Sequence, residues 1–270
     1  MPFLCEFDTT DIHPASKPWP DTGTTMAFPH SLVSRPRLSH GFRMLDINKS
    51  ATVRAKATIP YFNNTFAECH IATWLNTTLH GGIAHILVLP PADLDFLTGE
   101  HARNSDDPSS VRINFERPFV TPPKVVVFFN YIDLEMVHNW RLYVGASDID
   151  MNGFTLNIDT WGDTILYGVQ ACWIAYPEDR PHIFSASVNT MGPITKPQKN
   201  QSKHITFGEV KFREDPTVFV GLNLIDIDHN TNLRVNAHVD GVSKTGLVWH
   251  IDTWDDTVLY AAGASIIAFD

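Results

Sequence analysis

Ile158-Asp159-Thr160-Trp161-Gly162-Asp163-Thr164-Ile165-Leu166-Tyr167 recurs as Ile251-Asp252-Thr253-Trp254-Asp255-Asp256-Thr257-Val258-Leu259-Tyr260, and more loosely as Ile71-Ala72-Thr73-Trp74-Leu75-Asn76-Thr77-Thr78-Leu79-His80. The tryptophans stand 87 and 93 residues apart. A repeat of that length marks a chain built from copies of one small unit. The match continues backwards at constant spacing. Twenty residues before each Trp stands Arg54, Arg141 or Arg234, and eight before each Arg stands Asp46, Asp133 or Asp226. Further upstream come Phe28 with Pro36, Phe115 with Pro123, and Phe207 with Pro216. A weaker leader opens each copy at Phe7, Phe96 and Phe184. The expected units are 1–91, 92–180 and 181–270, joined by short proline-bearing links at Pro90-Pro91 and Pro177 to Pro181 that hold them close.

Inside each copy, apolar residues alternate with polar ones, as at Val125, Val127, Phe129, Tyr131 and at Phe154, Leu156, Ile158. Period two with β-branched and aromatic residues reads as half-buried strands. Clusters at Asp148 to Gly153 and Asp240 to Gly246 read as hairpin turns. No stretch sustains a capped helical period. Five or six strands per copy make a small antiparallel sandwich that is marginal alone. The expectation is therefore an all-β chain of three sandwich modules packed around a common axis, a pseudo-trimer within one chain.

Composition limits the partners. Twenty Lys and Arg against 30 Asp and Glu give a net charge of −10, which repels phosphate backbones and anionic lipid. Nucleic acid is not expected, and no apolar run is long enough for membrane insertion. The opening residues lack a basic segment followed by an apolar one, so the expected location is cytoplasmic, or outside the cell by a non-classical route. Cys5, Cys69 and Cys172 read as free thiols in a reducing compartment, and four Asn-X-Ser/Thr sequons as silent.

An Arg, a Trp and a carboxylate repeated in register are the parts of a sugar site: the indole stacks on C–H faces while charged groups bond hydroxyls. The blander alternative makes each Trp core and each Asp–Arg pair a hairpin ion pair, and for the aspartates this alternative is favoured. Asp148 to Gly153 followed by Asp159 nearly spells a calcium loop, but it lies between strands and its carboxylate spacing is lost in copy three. The 13 histidines are scattered and do not recur in register between copies, so no ligand set can be assembled and no metal or cofactor is expected. A glycoside hydrolase using Asp159 with Asp163, or Asp252 with Asp256, is a weaker alternative, because copy one has Ala72 and Asn76 there. A structural or protein-binding β-module is another.

The quoted stretches, with Ile205-Thr206-Phe207, Leu224-Ile225-Asp226 and Asn232-Leu233-Arg234-Val235 in copy three, resemble the H-type lectin family over nearly the whole chain. The resemblance implies a six-stranded antiparallel sandwich that assembles as a trimer, here fused. It implies non-enzymatic binding of glycans or glycoproteins ending in N-acetylgalactosamine or galactose, at sites near the interfaces, by a multivalent lectin of agglutinin or defence type. Further oligomerisation stays open. By motif, the implied sugar-binding residues are Arg54, Arg141 and Arg234; Trp74, Trp161 and Trp254; and Tyr167 and Tyr260, with His80 at the matching place in copy one. An acid is implied in the segment leading into the first strand. Asp21 and Asp106 are its candidates in copies one and two, and Ser185 to His204 of copy three contains no acid.

Overall fold

A computed structural model describes residues 2–190, 197 and 199–270. Among them are eighteen strands, one 3₁₀ turn at Thr9–Asp11 and no α-helix. Module one holds β1 (Phe3–Asp8), β2 (Asp21–Ala27), β3 (Arg37–Ile47), β4 (Val53–Phe62), β5 (Phe66–Ala72) and β6 (Leu79–Leu89). Module two holds β7 (Leu97–Asn104), β8 (Ser110–Asn114), β9 (Lys124–Leu134), β10 (Trp140–Asp150), β11 (Gly153–Asp159) and β12 (Leu166–Tyr176). Module three holds β13 (Ile183–Asn189), β14 (Gln201–Thr206), β15 (Thr217–Ile227), β16 (Leu233–Ser243), β17 (Gly246–Asp252) and β18 (Leu259–Phe269). The period-two reading holds in β11 and β17, where buried and partly exposed residues alternate towards the site loops. The near-calcium loop is a hairpin turn: Asp150 Oδ1 accepts from the backbone of Asn152 and Gly153.

Each module is a sandwich of two three-stranded halves, and each half continues into a neighbouring module. The sheet orders are β1-β6-β3-β16-β17-β14, β13-β18-β15-β10-β11-β8 and β2-β5-β4-β9-β12-β7, all antiparallel. The fourth strand of every module thus bonds edge to edge with the third strand of the next, round to the beginning. Cyclic sharing leaves no exposed edge at the junctions. The exposed surface is 11784 Å². Three separate globules of a third the mass would expose about 16,000 Å², so each junction hides roughly 1,300 Å², an area typical of specific interfaces.

This topology corrects the hairpin reading of the Asp–Arg spacing. Asp46 lies on β3 and Arg54 on β4, which belong to different sheets. Across the junctions, Arg54 stands opposite Asp133, Arg141 opposite Asp226, and Arg234 opposite Asp46. The ion pairs join modules.

Runs of consecutive buried residues in β6, β9, β12, β15 and β18 cover both faces, one on the sandwich core and the other on the central axis, whereas β3 alternates buried and half-buried residues along much of its length. The axis is filled by Leu87, Leu89, Phe96, Val126, Phe128, Ile174, Tyr176, Phe219, Ile267 and Phe269, among others. Five residues before each junction aspartate stand Gly41, Phe128 and Gly221. A Cβ at Gly41 would lie 2.4 Å from the Phe128 ring, and one at Gly221 2.8 Å from its Cβ. One benzyl group thus occupies space that three symmetric copies could not share, and the other two positions are glycine because of it.

Candidate functional site

The loop between strands five and six carries each repeated Trp. In module two, Thr164 N donates to Trp161 O and closes a tight turn, as Thr77 does to Trp74 and Thr257 to Trp254. The residue after the Trp is left-handed each time, with φ of 55° at Leu75, 66° at Gly162 and 51° at Asp255. The closing threonine anchors the turn to the base of strand four: Thr77 Oγ1 donates to Thr52 O, Thr164 Oγ1 to Asn139 O, and Thr257 Oγ1 to Asn232 O. These bonds fix the loop beside the arginine.

Each Arg is gripped from two modules. Arg141 Nη1 donates to Asp163 Oδ1 at 2.6 Å in its own loop, and its Nε lies 3.5 Å from Asp226 Oδ1 of module three. Arg234 repeats this with Asp256 at 2.6 Å and Asp46 at 3.3 Å, adding Asp255 at 3.6 Å. Arg54 has Asp133 at 3.4 Å, but Asn76 and Thr77 in its loop, each at 3.3 Å. The cross-module partners are only 11–18% exposed, so these are not surface ion pairs. Burial raises the carboxyl pKa of Asp46, Asp133 and Asp226, and the facing guanidinium partly opposes it. The exposed Asp163 and Asp256 go the other way, held down chiefly by hydrogen bonds from Arg141 and Arg234. A lowered pKa keeps both carboxylates ionised, so neither is the general acid of a hydrolase pair.

The aromatic complement also comes from the next module. Tyr167 sits in a bulge between Leu166↔Leu134 and Gly168↔Asp133, beside the aspartate that faces Arg54. Tyr260 occupies the same bulge beside Asp226, where Arg141 and Asp226 both act on its hydroxyl after burial and Asp228. His80 takes that place beside Asp46 and Arg234. The bulges re-aim these rings towards the junctions. Copy one's departure at His80 therefore belongs to the site of Arg234 and Trp254, not to that of Arg54 and Trp74.

Three composite candidate sites result. Site one joins Arg54 and Trp74 to Asp133, Tyr167 and Tyr131, whose ring lies 5.7 Å from Trp74. Site two joins Arg141, Trp161 and Asp163 to Asp226 and Tyr260. Site three joins Arg234, Trp254, Asp255 and Asp256 to Asp46 and His80. Trp161 and Tyr167 are 38% and 47% exposed, open to a ligand; Trp74, Trp254 and Tyr260 are half-buried. Asp21 instead accepts from His70 at 3.0 Å, and Asp106 from Ser105 at 3.1 Å. Among the described residues, no arginine of the sites lies within ion-pair distance of either. The acid-free stretch from Ser185 to His204 runs partly through 191–196, outside the described residues. From sequence, Asp163 and Asp256 stand only as carboxylates of the hydrolase alternative, with Asn76 at the matching place in copy one, and none of the three is assigned to a sugar site. The signal was present: two residues after every repeated Trp stands Asn or Asp.

Comparison with known proteins matches this geometry to a family. The H-type lectin domain model matches residues 110–176 and 202–269, the second to sixth strands of modules two and three. A protein of Fuscovulum blasticum named "ATP synthase subunits region ORF 7" is 34% identical over 83 residues, covering 30% of this chain and 72% of that protein; its name states no ligand. With half its length matched in two successive copies, the chain belongs to the H-type lectin domain family.

Proposed function

We propose that the chain is a non-enzymatic, multivalent lectin for glycans ending in N-acetylgalactosamine or galactose, bound at the three module junctions. The observation that carries this reading is the recurrence, at every junction, of a Trp beside an Arg held by carboxylates or amides of two modules. The indole offers an apolar face for the C–H surface of a galactose-type ring or an acetamido methyl. The guanidinium and the loop Asp or Asn offer donors and acceptors for hydroxyls. Because both are already fixed by protein bonds, little ordering remains to be done on binding.

The cyclic arrangement puts all three Trp loops at one end of the axis. A single site of millimolar affinity corresponds to about −4 kcal/mol, and joining several on one face raises avidity by about 10²–10⁴ on a dense glycan surface. Agglutination then needs chains associated back to back. The three sites are not equivalent: beside its arginine site one has one carboxylate, site two has two and site three has three. The test is a glycan array of terminal N-acetylgalactosamine, galactose, N-acetylglucosamine, mannose and fucose. Selective binding of the first two supports the reading, and binding of none of the five refutes it.

A further inference from the structure

Outside the junction sites, register assembles a side-chain cluster that the linear sequence hides. On module three's outer face, His238 of β16 stands directly opposite His250 of β17, with Asp252 two residues further along β17 on the same face. The two imidazoles are stacked, 4.7 Å between centroids and 10° between planes. Ligand atoms of His238, His250 and Asp252 all lie within 4.8 Å of one another. Asp252 Oδ2 is 3.6 Å from His238 Nδ1, and the exposed Asp240 is 3.1 Å from His250 Nε2. Both ring nitrogens are shielded from water, yet neither makes a hydrogen bond among the described residues. Each nitrogen faces a carboxylate, Asp252 for His238 and Asp240 for His250, without a well-formed hydrogen bond, so two imidazoles and two carboxylates converge on one place.

We infer that His238, His250 and Asp252 form a binding site for a divalent transition-metal ion, best matched by zinc. Imidazole and carboxylate are the donor types that this ion takes, and a fourth position is left for Asp240 or water. Small side-chain rotations bring the donors to the about 3.3 Å separation of neighbours around a tetrahedral zinc. The cluster is particular to module three. At the matching positions module two has Gly145, Asn157 and Asp159, and module one has Thr58, His70 and Ala72, so the fold itself does not require it. Asp252 lies two residues before Trp254, so a bound ion would tie β16 to β17 at the entrance to the third Trp loop.

The test is titration of the chelator-treated full chain with zinc alone by calorimetry, with cobalt(II) absorption as a second readout. The expected result is one ion per chain, visible-band absorption characteristic of low-coordinate cobalt, and a higher Tm with zinc. His238→Gln and His250→Gln should each weaken zinc by at least about tenfold, the smaller end of what even outer-shell changes cause, while His70→Gln should not. A metal-free Tm close to that of the unaltered chain keeps the comparison fair. Absence of zinc binding, or binding unchanged in the double His238→Gln/His250→Gln variant, overturns the inference. Neither outcome depends on sugar binding.

Discussion

Phe128→Ala tests the central packing argument. Phe128 is fully buried, its ring centroid 4.6 Å from that of Phe219, and it is flanked by Gly41 and Gly221. Truncating a buried Phe typically costs about 3–5 kcal/mol, and the cost is larger where the surroundings cannot collapse. Here two of the walls are glycines, which have no side chains to move into the void, so about 4–5 kcal/mol is expected. An unfolding entropy of about 2.1 cal/mol/K per residue for the whole chain converts this to a Tm fall of roughly 7–9 °C, if the shared sheets unfold as one unit. Circular dichroism and calorimetry measure it, the ratio of calorimetric to van't Hoff enthalpy checking that condition. A companion, Phe128→Gly with Gly41→Phe, moves the ring to the matching place in module one. It should recover more than half of the loss suffered by Phe128→Gly alone, since the three atoms nearest a Cβ at Gly41 all belong to Phe128. A Tm fall below about 2 °C for Phe128→Ala would refute the claim that one ring fills the space shared by positions 41, 128 and 221.

Gly221→Ala should destabilise by about 1–3 kcal/mol through overpacking and lose most of that cost in the Phe128→Gly background, which removes the Cβ lying 2.8 Å from the new methyl; a double-mutant cycle of denaturation midpoints reads it. Trp161→Ala should cost about 1–2 kcal/mol of stability, because the side chain is only 38% exposed and its hydrogen bond acts on Asp226, while removing one of the proposed sites from a chain that stays folded; unchanged glycan stoichiometry would count against the site. Glu6 accepts from His85 and Arg43 at the junction of modules one and three, and its pKa is lowered to about 2, chiefly by the His85 hydrogen bond. A lowered carboxyl pKa gives stability that is complete above the unfolded value near 4.5 and lost as pH falls towards 2. Glu6→Gln should therefore lie below the unaltered chain in Tm at pH 7, with the gap narrowing from pH 4.5 downwards. A gap independent of pH would show that Glu6 does not act through its charge.

Much of this protein is legible in its sequence. The repeated Arg-to-Trp spacing gives three copies of one unit, and the alternation at Phe154, Leu156 and Ile158 gives strands and the face each one buries. Both signals are local: a side chain's burial follows from its place in the pleat. The partner of each strand is not local, because three near-identical copies offer the same edge pattern. Only the tertiary structure pairs Arg54 with Asp133 rather than Asp46, and places His80 beside Arg234. The axis is likewise unreadable. Phe128, Gly41 and Gly221 look like substitutions at one aligned position until the fold brings all three to the same space, which holds one ring. His238 and His250 belong to the same class, scattered along the chain and joined by the register of β16 on β17. Sequence determined what each strand buries; packing around the axis decided what each strand meets, since contact depends on which of several equivalent edges comes to lie alongside.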